Sequence, residues 1–471
     1  MGGLPLALEQ AAAYAQATGN SLAAYLALFQ RRRQDLLARG QPAGYGRTVA
    51  ATWTLAFTQL QHSDPGAAGL VRLLAFCAPE AIPLRLLLQP RPELADQLSP
   101  EVAGVLVPLL DDELAAGDAV AALRRYSLAR PAGDGAVSVH RLVQAVTADQ
   151  MPAELRDAWR LAAAALIEGA LPGDPSQPQD WPKFAALLPH AQLALSDASD
   201  GLGRLASYLG HRGIYAAARD LQRTVSGARE RMLGPEHPQT LAARLDLALW
   251  TGYAGDPAGA RDQFATLVPV AERVLGAEHP GTLLARSHLA YWVGEAGDPV
   301  GARDQYAALL HVRVRVLCPE HPDVLIGRAQ HARFTGEAGD AVGARDAYAA
   351  LLPIDERVFG LEHPNTQGVR VNLARWTGEA GDPAGARDQY AALVPMREQV
   401  LGLEHRQTLR ARYGLAHWTG EAGDPAGARD RFAALLPAME RVFGPEHPET
   451  QEVRENLALW TRRARLRRDV N

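Results

Sequence analysis

Glu-His recurs six times at a fixed step: the histidines are His237, His279, His321, His363, His405 and His447, each 42 residues after the last. Proline follows in five of the six, with Arg406 the exception. An aromatic keeps the same step at Trp250, Trp292, Phe334, Trp376, Trp418 and Trp460, and so does Gly-Ala-Arg-Asp, as at 259–262 and 427–430. A chain in this register does not close one ordinary core. Each unit is a supersecondary element that buries its apolar face only against its neighbours.

Each unit reads as two helices. The proline after Glu-His suits a first helical turn, because its ring fixes a helical φ and its missing N–H is not needed there. The first helix runs through Leu247 and Ala248 to Trp250, where Gly252 and Gly255 are expected to end it. Asp256-Pro257 is a cap followed by proline at the first position, so a second helix starts there. Its apolar residues Ala260, Phe264, Leu267, Ala271 and Val274 share one helical face, and Gly276 stops it. Paired small residues, such as Ala290 with Ala302 and Ala374 with Ala386, stand where the two helices cross closely. Pro269, Pro353, Pro395 and Pro437 recur inside the second helix, with His311 once in their place, and predict kinks that set the curvature. An irregular earlier unit fits the frame at Tyr208, Gly213 and 217–219. The last unit is expected to stop after one helix, at Trp460, with Arg462, Arg463, Arg465, Arg467 and Arg468 forming a polar end.

The Leu-Ala … Gly-Asp-x-x-x-Ala-x-x-x-Tyr pattern resembles the tetratricopeptide repeat. The 42-residue length and the Leu-Gly-x-Glu-His-Pro connector are similar to the long variant of kinesin light chains and many actinobacterial proteins. The resemblance implies a mostly α chain whose residues 201–471 form a right-handed tetratricopeptide α-solenoid, with a concave peptide groove lined by the first helices.

Gly-Leu-Pro-Leu at 3–6 opens an apolar helix and resembles the motif that follows the nucleotide-binding core of STAND-type NTPases, the NB-ARC group. Helical stretches at 22–39, 51–60, 68–76 and 119–125 lead into strand-like runs at 126–129 and 136–139 with a Gly-rich tip between them. Helices followed by such a hairpin describe a winged helix. His140 then resembles the histidine of the family's Met-His-Asp motif, which senses the bound diphosphate. By that resemblance Pro5 and His140 are vestigial nucleotide contacts. The expected organisation is 1–45 as the end of an NB-ARC module, 46–150 as a winged-helix-like domain, 151–200 as a helical connector and 201–471 as repeats. A P-loop requires Gly-x-x-x-x-Gly-Lys-Ser/Thr, and the only lysine, Lys183, stands in Trp-Pro-Lys-Phe. No cofactor and no ATP hydrolysis are expected, and a separate or upstream NTPase domain becomes a candidate partner.

Two first-helix positions vary inside the strict frame. The residue before the conserved Leu position is Asp246, His288, Gln330, Asn372, Gly414 or Asn456, and two after it stand Leu249, Tyr291, Arg333, Arg375, His417 and Leu459. Variation on a constant scaffold is what a ligand-specific surface requires, and an unconstrained surface shows the same. A ladder of Arg244, Arg286, Arg328, Arg370, Arg412 and Arg454 lies three residues before that Leu. It is expected to pair with acidic neighbours such as Asp262, Glu295, Glu337, Glu379 and Glu421, or to read a carboxylate or phosphate as a basic stripe. The histidines lie one unit apart and do not converge on a metal; each is expected to close its inter-repeat turn by a hydrogen bond.

Composition narrows the function. Lys+Arg 48 against Asp+Glu 53 gives a net charge of −5, which argues against nucleic acid. A DNA-binding regulator using the winged helix and the Arg-rich tail is the rival reading. Cys77 and Cys318 are too few for a disulfide framework or a zinc site. No run approaches the ~20 apolar residues that cross a bilayer, so no membrane role is expected and the cytoplasm is the expected location. No nucleophile–base or metal constellation occurs, so the chain is not expected to be an enzyme. The favoured function is a protein- or peptide-binding scaffold, the sensor arm of a STAND-type signalling regulator.

Overall fold

The computed structural model describes residues 57, 59–133 and 135–470, together with 21, 23, 24, 26 and 27. Pro5 and the Gly-Leu-Pro-Leu motif lie outside the described residues, as do nearly all of 1–45 and the hairpin-tip residue Asp134. The chain divides into two compact units, one ending at Trp250 and the other beginning at Thr251.

In the first unit, the helix Pro65–Leu74 starts under Asp64, whose carboxylate accepts the Ala67 N–H at 2.9 Å. It packs against the helices Pro100–Asp111 and Glu113–Arg125. A small antiparallel sheet follows the order β1-β3-β2, from β1 Ile82–Pro83, β2 Arg130–Pro131 and β3 Ala136–Ser138. Ile82 stands opposite Val137, and Arg130 opposite Ser138. The sequence anticipates only the hairpin, and places its first strand at 126–129. Tyr126 instead caps the C-terminus of the preceding helix, Ser127 turns at φ +56°, and the strand begins at Arg130. A two-residue strand such as β1 is too short to show alternation. Buried Gln144 donates to the carbonyls of Leu74 (2.7 Å) and Cys77 (2.9 Å), fastening the helix Arg141–Asp149 to the end of the first helix. The helices Ala153–Ala170 and Trp181–Ala194 add Trp159 and Phe184 to the same core. A first helix pair, Asp200–His211 and Tyr215–Leu233, begins the array.

The second unit repeats one pair. Pro280–Glu295 is followed by Pro299–Val316, Pro322–Glu337 by Ala341–Phe359, Pro364–Glu379 by Pro383–Leu401, and Arg406–Glu421 by Pro425–Phe443. Each helix packs on the next, and each first helix also touches the first helix of the following repeat. The first helix does not end at the glycine two after the aromatic: Pro238–Tyr253 runs through Gly252. Gly255 supplies the stop, at φ +100°, a value that L side chains rarely adopt. The last helix, Pro448–Val470, continues past Trp460, because Ala464-Arg465-Leu466 stands where earlier units carry Ala-Gly-Asp, so the stop glycine and the next cap are both missing.

Among the described residues, no helix is long and apolar enough to cross a membrane, and no group of three or more His, Cys, Asp or Glu side chains could hold a metal ion.

Candidate functional site

The repeat motif is a set of joints. The glutamate of Glu-His pairs with an arginine near the end of the following second helix: Glu320 with Arg357 at 2.6 Å, Glu404 with Arg441 at 2.6 Å, and Glu278 with Arg315. The histidine is a helix cap. Its Nδ1 accepts the N–H two residues on, His279 from Gly281 at 3.1 Å, His321 from Asp323 at 3.2 Å and His405 from Gln407 at 3.3 Å. That geometry needs an Nδ1 without a proton. Thr282, Thr366 and Thr408 are fully buried and donate to carbonyls of the preceding second helix at 3.2–3.4 Å. At the next helix start, Asp298, Asp382 and Asp424 accept the N–H of Gly301, Gly385 and Gly427 at 2.8–2.9 Å. A Cβ on Gly301 would stand 2.3 Å from the Asp298 carboxylate, so a larger residue there would have to push the capping side chain aside.

The aromatic ladder joins repeat to repeat. A Cβ on Gly336 would lie 2.5 Å from the Trp376 ring, and one on Gly378 would lie 2.4 Å from Trp418. The buried Nε1 atoms of Trp292, Trp376 and Trp460 meet no acceptor, and Phe334 fills the equivalent place without an N–H. Trp376→Phe is therefore expected to cost less than about 1 kcal/mol, since the lost ring volume is offset by removal of an unmet donor. Trp376→Ala should cost about 3–5 kcal/mol. Chemical denaturation of both variants checks this; equal losses would rule out the packing role.

The position before the Leu faces inward. His288 stacks on Phe264 of the preceding helix at 5.4 Å, and burial, followed by the nearby Arg313, lowers its pKa to about 4. Burial raises Asp246 to about 6, against the pull of Arg229. Asn372 donates to the Gly368 carbonyl at 3.0 Å, Asn456 donates to the Tyr413 hydroxyl at 3.1 Å, and the Gln330 Oε1 is buried without a partner. Gly414 leaves room for the ring of Tyr390, 2.6 Å from where a Cβ would stand. These side chains lie among the helices.

Two residues after the Leu, the row is half-buried at Tyr291, Arg333 and His417 and exposed at Arg375 and Leu459. Arg333 lies over the Tyr291 ring at 5.6 Å and pairs with Glu295 (2.6 Å) and Glu337 (2.9 Å). Burial opposes its charge, but the two carboxylates more than offset this and raise its pKa. Arg375 is exposed, with its guanidinium 4.6 Å over Trp376. His417 packs edge-on to Trp418 at 4.8 Å, its Nδ1 without a partner.

In the arginine ladder, Arg370 pairs with Glu356 at 2.7 Å, Arg412 with Glu398 at 3.8 Å and Arg454 with Glu440 at 2.5 Å. The partner is the glutamate 14 residues earlier, on the preceding second helix. Asp262 is already held by Arg261 at 2.8 Å, and Glu295 and Glu337 by Arg333. Arg244, Arg286 and Arg328 make no such pair with the preceding helix. His140 caps the helix Arg141–Asp149, its Nδ1 accepting the Leu142 N–H at 3.2 Å. The sequence showed no sign of the threonine joints or the ring-seating glycines, since neither residue type in a helix advertises a contact.

A tetratricopeptide-repeat family model matches residues 201–239, 240–281, 366–407 and 408–449. A domain of unknown function, DUF7779, matches residues 58–156. No curated protein matches the chain in sequence. Among solved structures, it is similar to a kinesin light chain with nearly identical TPR-like repeats from Podosopora anserina, at 21% identity and a TM-score of 0.39, over 45% of this chain and 98% of that one. A signal transduction ATPase with numerous domains (STAND) and a tetratricopeptide repeat sensor, from Pyrococcus horikoshii, is similar over 98% of this chain and 69% of its own, at 10% identity and a TM-score of 0.45. A Rap protein complexed with competence and sporulation factor is similar over 88% of this chain and 96% of its own, at 10% identity and a TM-score of 0.39. The helix pairs within residues 201–281 and 366–449 match the tetratricopeptide repeat, and the pairs between them keep the same 42-residue frame.

Proposed function

We propose that the partly exposed row two residues after the Leu of the first helices binds an extended polypeptide segment, and that the chain serves as the sensor arm of a STAND-type signalling regulator in the cytoplasm. The observation that carries the binding role is the series Tyr291, Arg333, Arg375 and His417, one per repeat on the same helical position, chemically different on an otherwise constant frame. Rigid helices present these side chains at fixed spacing, so a bound segment loses entropy without the scaffold having to order as well. Within the second unit, His288, Gln330, Asn372 and Asn456 lie one turn of the same helices away; in the first unit, Asp246 holds the equivalent place. The sensor-arm role leans on the resemblance around Pro5 and His140, with a separate or upstream NTPase domain as the regulated partner. His140 Nδ1 is engaged as a helix cap, in keeping with a vestigial nucleotide contact.

Arg463 pairs with Glu421 at 3.2 Å and lies over Trp460, and Arg467 bonds the Gly423 carbonyl. Two tail arginines are thus already engaged, which weighs against the DNA-binding alternative. Random dodecapeptides displayed on phage should yield binders to the immobilised full chain. For a selected peptide, Tyr291→Ala and His417→Ala should each weaken affinity about tenfold with thermal midpoints unchanged. A library without binders, or binders indifferent to both substitutions, sinks the reading.

A further inference from the structure

Within the first unit a cavity of about 880 Å³ opens between Leu84, Arg85 and residues 88–90, one face of the helix Glu113–Arg125, and the hairpin residues Pro131, Gly133 and 135–137. Small-molecule sites span about 300–1,000 Å³. The helix contributes Glu113, Ala116, Gly117, Val120 and Arg124, a spacing that keeps all five on one face. Nothing lies within 4 Å of where a Gly117 Cβ would stand, so packing does not demand glycine there. Glycine inside a helix forgoes about 1 kcal/mol relative to alanine, and the effect here is a bare floor to the cavity.

Two cations border this space. A Cβ on Gly135 would meet the Arg85 side chain at 2.5 Å from Nε and 2.8 Å from Cδ. The Arg85 stem therefore lies across the hairpin glycine, and the backbone holds its guanidinium at the cavity. Arg124 lines the same space. Among the described residues neither arginine forms an ion pair. Glu113 stands at the other end of the helix face, roughly 16 Å along the axis from Arg124. Leu84, Leu88 and Val137 supply apolar wall.

We propose that this cavity binds a small organic anion, its phosphate or carboxylate held by Arg85 and Arg124 and its apolar body against Gly117, Val120 and Val137. The guanidinium fork matches both acid groups. The test is calorimetric titration of the full chain with phenyl phosphate, phenylacetate and neutral 2-phenylethanol. At least one anion should bind saturably, at least about tenfold tighter than the alcohol, and the two anions together identify the preferred acid group. Arg85→Gln and Arg124→Gln should each weaken that anion about tenfold. Gly117→Leu should abolish binding by filling the floor while the fold is kept, since leucine is the better helix former. Absence of saturation, equal affinity for the alcohol, or full affinity in the double Arg variant overturns the proposal. So does a duplex DNA that displaces phenyl phosphate and loses binding in the same double variant, which would make this face a nucleic-acid surface.

Discussion

Gly378→Ala is expected to destabilise the array by about 2–3 kcal/mol, while Gly368→Ala in the same helix should be neutral or stabilising by up to about 1 kcal/mol. Both glycines lie in Pro364–Glu379, so the change in helix propensity is the same. They differ in what a methyl group meets. At Gly368 nothing lies within 4 Å, whereas at Gly378 the Trp418 ring presents atoms at 2.4, 2.5 and 2.6 Å. The ring is buried and rigid, and cannot retreat without opening the joint between two repeats. Trp418→Ala alone should cost about 3–5 kcal/mol. In the double variant the methyl group has no ring to strike, so the combined loss should fall clearly short of the sum. Urea denaturation followed by circular dichroism gives the totals, and amide exchange in the flanking helices shows whether opening is local, as a nearest-neighbour array allows. Additive losses, or equal effects at the two glycines, would remove the ring-on-glycine joint.

That contact also marks where sequence reading stops. Period, helix pairing and capping chemistry are legible because each is local: Asp before Pro starts a helix, and Gly at positive φ ends one. Gly252 and its equivalents read as breakers, because a glycine in a helix carries no sign of the ring that another repeat lays across it. The particular partners of the arginine ladder were hidden in the same way. Arg370 prefers Glu356 to any of the expected carboxylates, and that choice depends on which second helix lies alongside, a tertiary fact. The short strand Ile82–Pro83 pairs with a segment more than fifty residues away and has no pattern of its own. In the candidate binding face, the varying positions were visible as departures from the frame. How far each is exposed was not, because positions three residues apart share one helix face.

A substitution at Asp355 carries the second large effect, and its sign depends on pH. Arg313 and Arg397 are buried, 84 residues apart, and each joins two first helices: Arg313 donates to the carbonyls of Leu283 (3.2 Å) and Asp323 (2.9 Å), Arg397 to those of Gln367 (3.3 Å) and Gln407 (2.8 Å). Midway between them in the repeat frame stands Asp355, 2% exposed, its Oδ1 without a donor. A carboxylate there offers only acceptors where its neighbours offer N–H groups. Burial raises its pKa to about 6, with His363 opposing. The folded value exceeds the unfolded one, so the folded state holds the proton longer. Stability is unpenalised below about pH 4, falls as pH rises towards 6, and carries the whole deficit above that, on the order of 2–3 kcal/mol. Asp355→Asn keeps the shape, removes the charge and restores an N–H donor. The variant should therefore be more stable than the parent by about 2 kcal/mol at pH 8, with the gain shrinking towards pH 4. Denaturation curves of the two proteins across that range decide it; curves that stay parallel would show that Asp355 is buried without strain, and that the joint between the third and fourth Glu-His repeats has no titrating member.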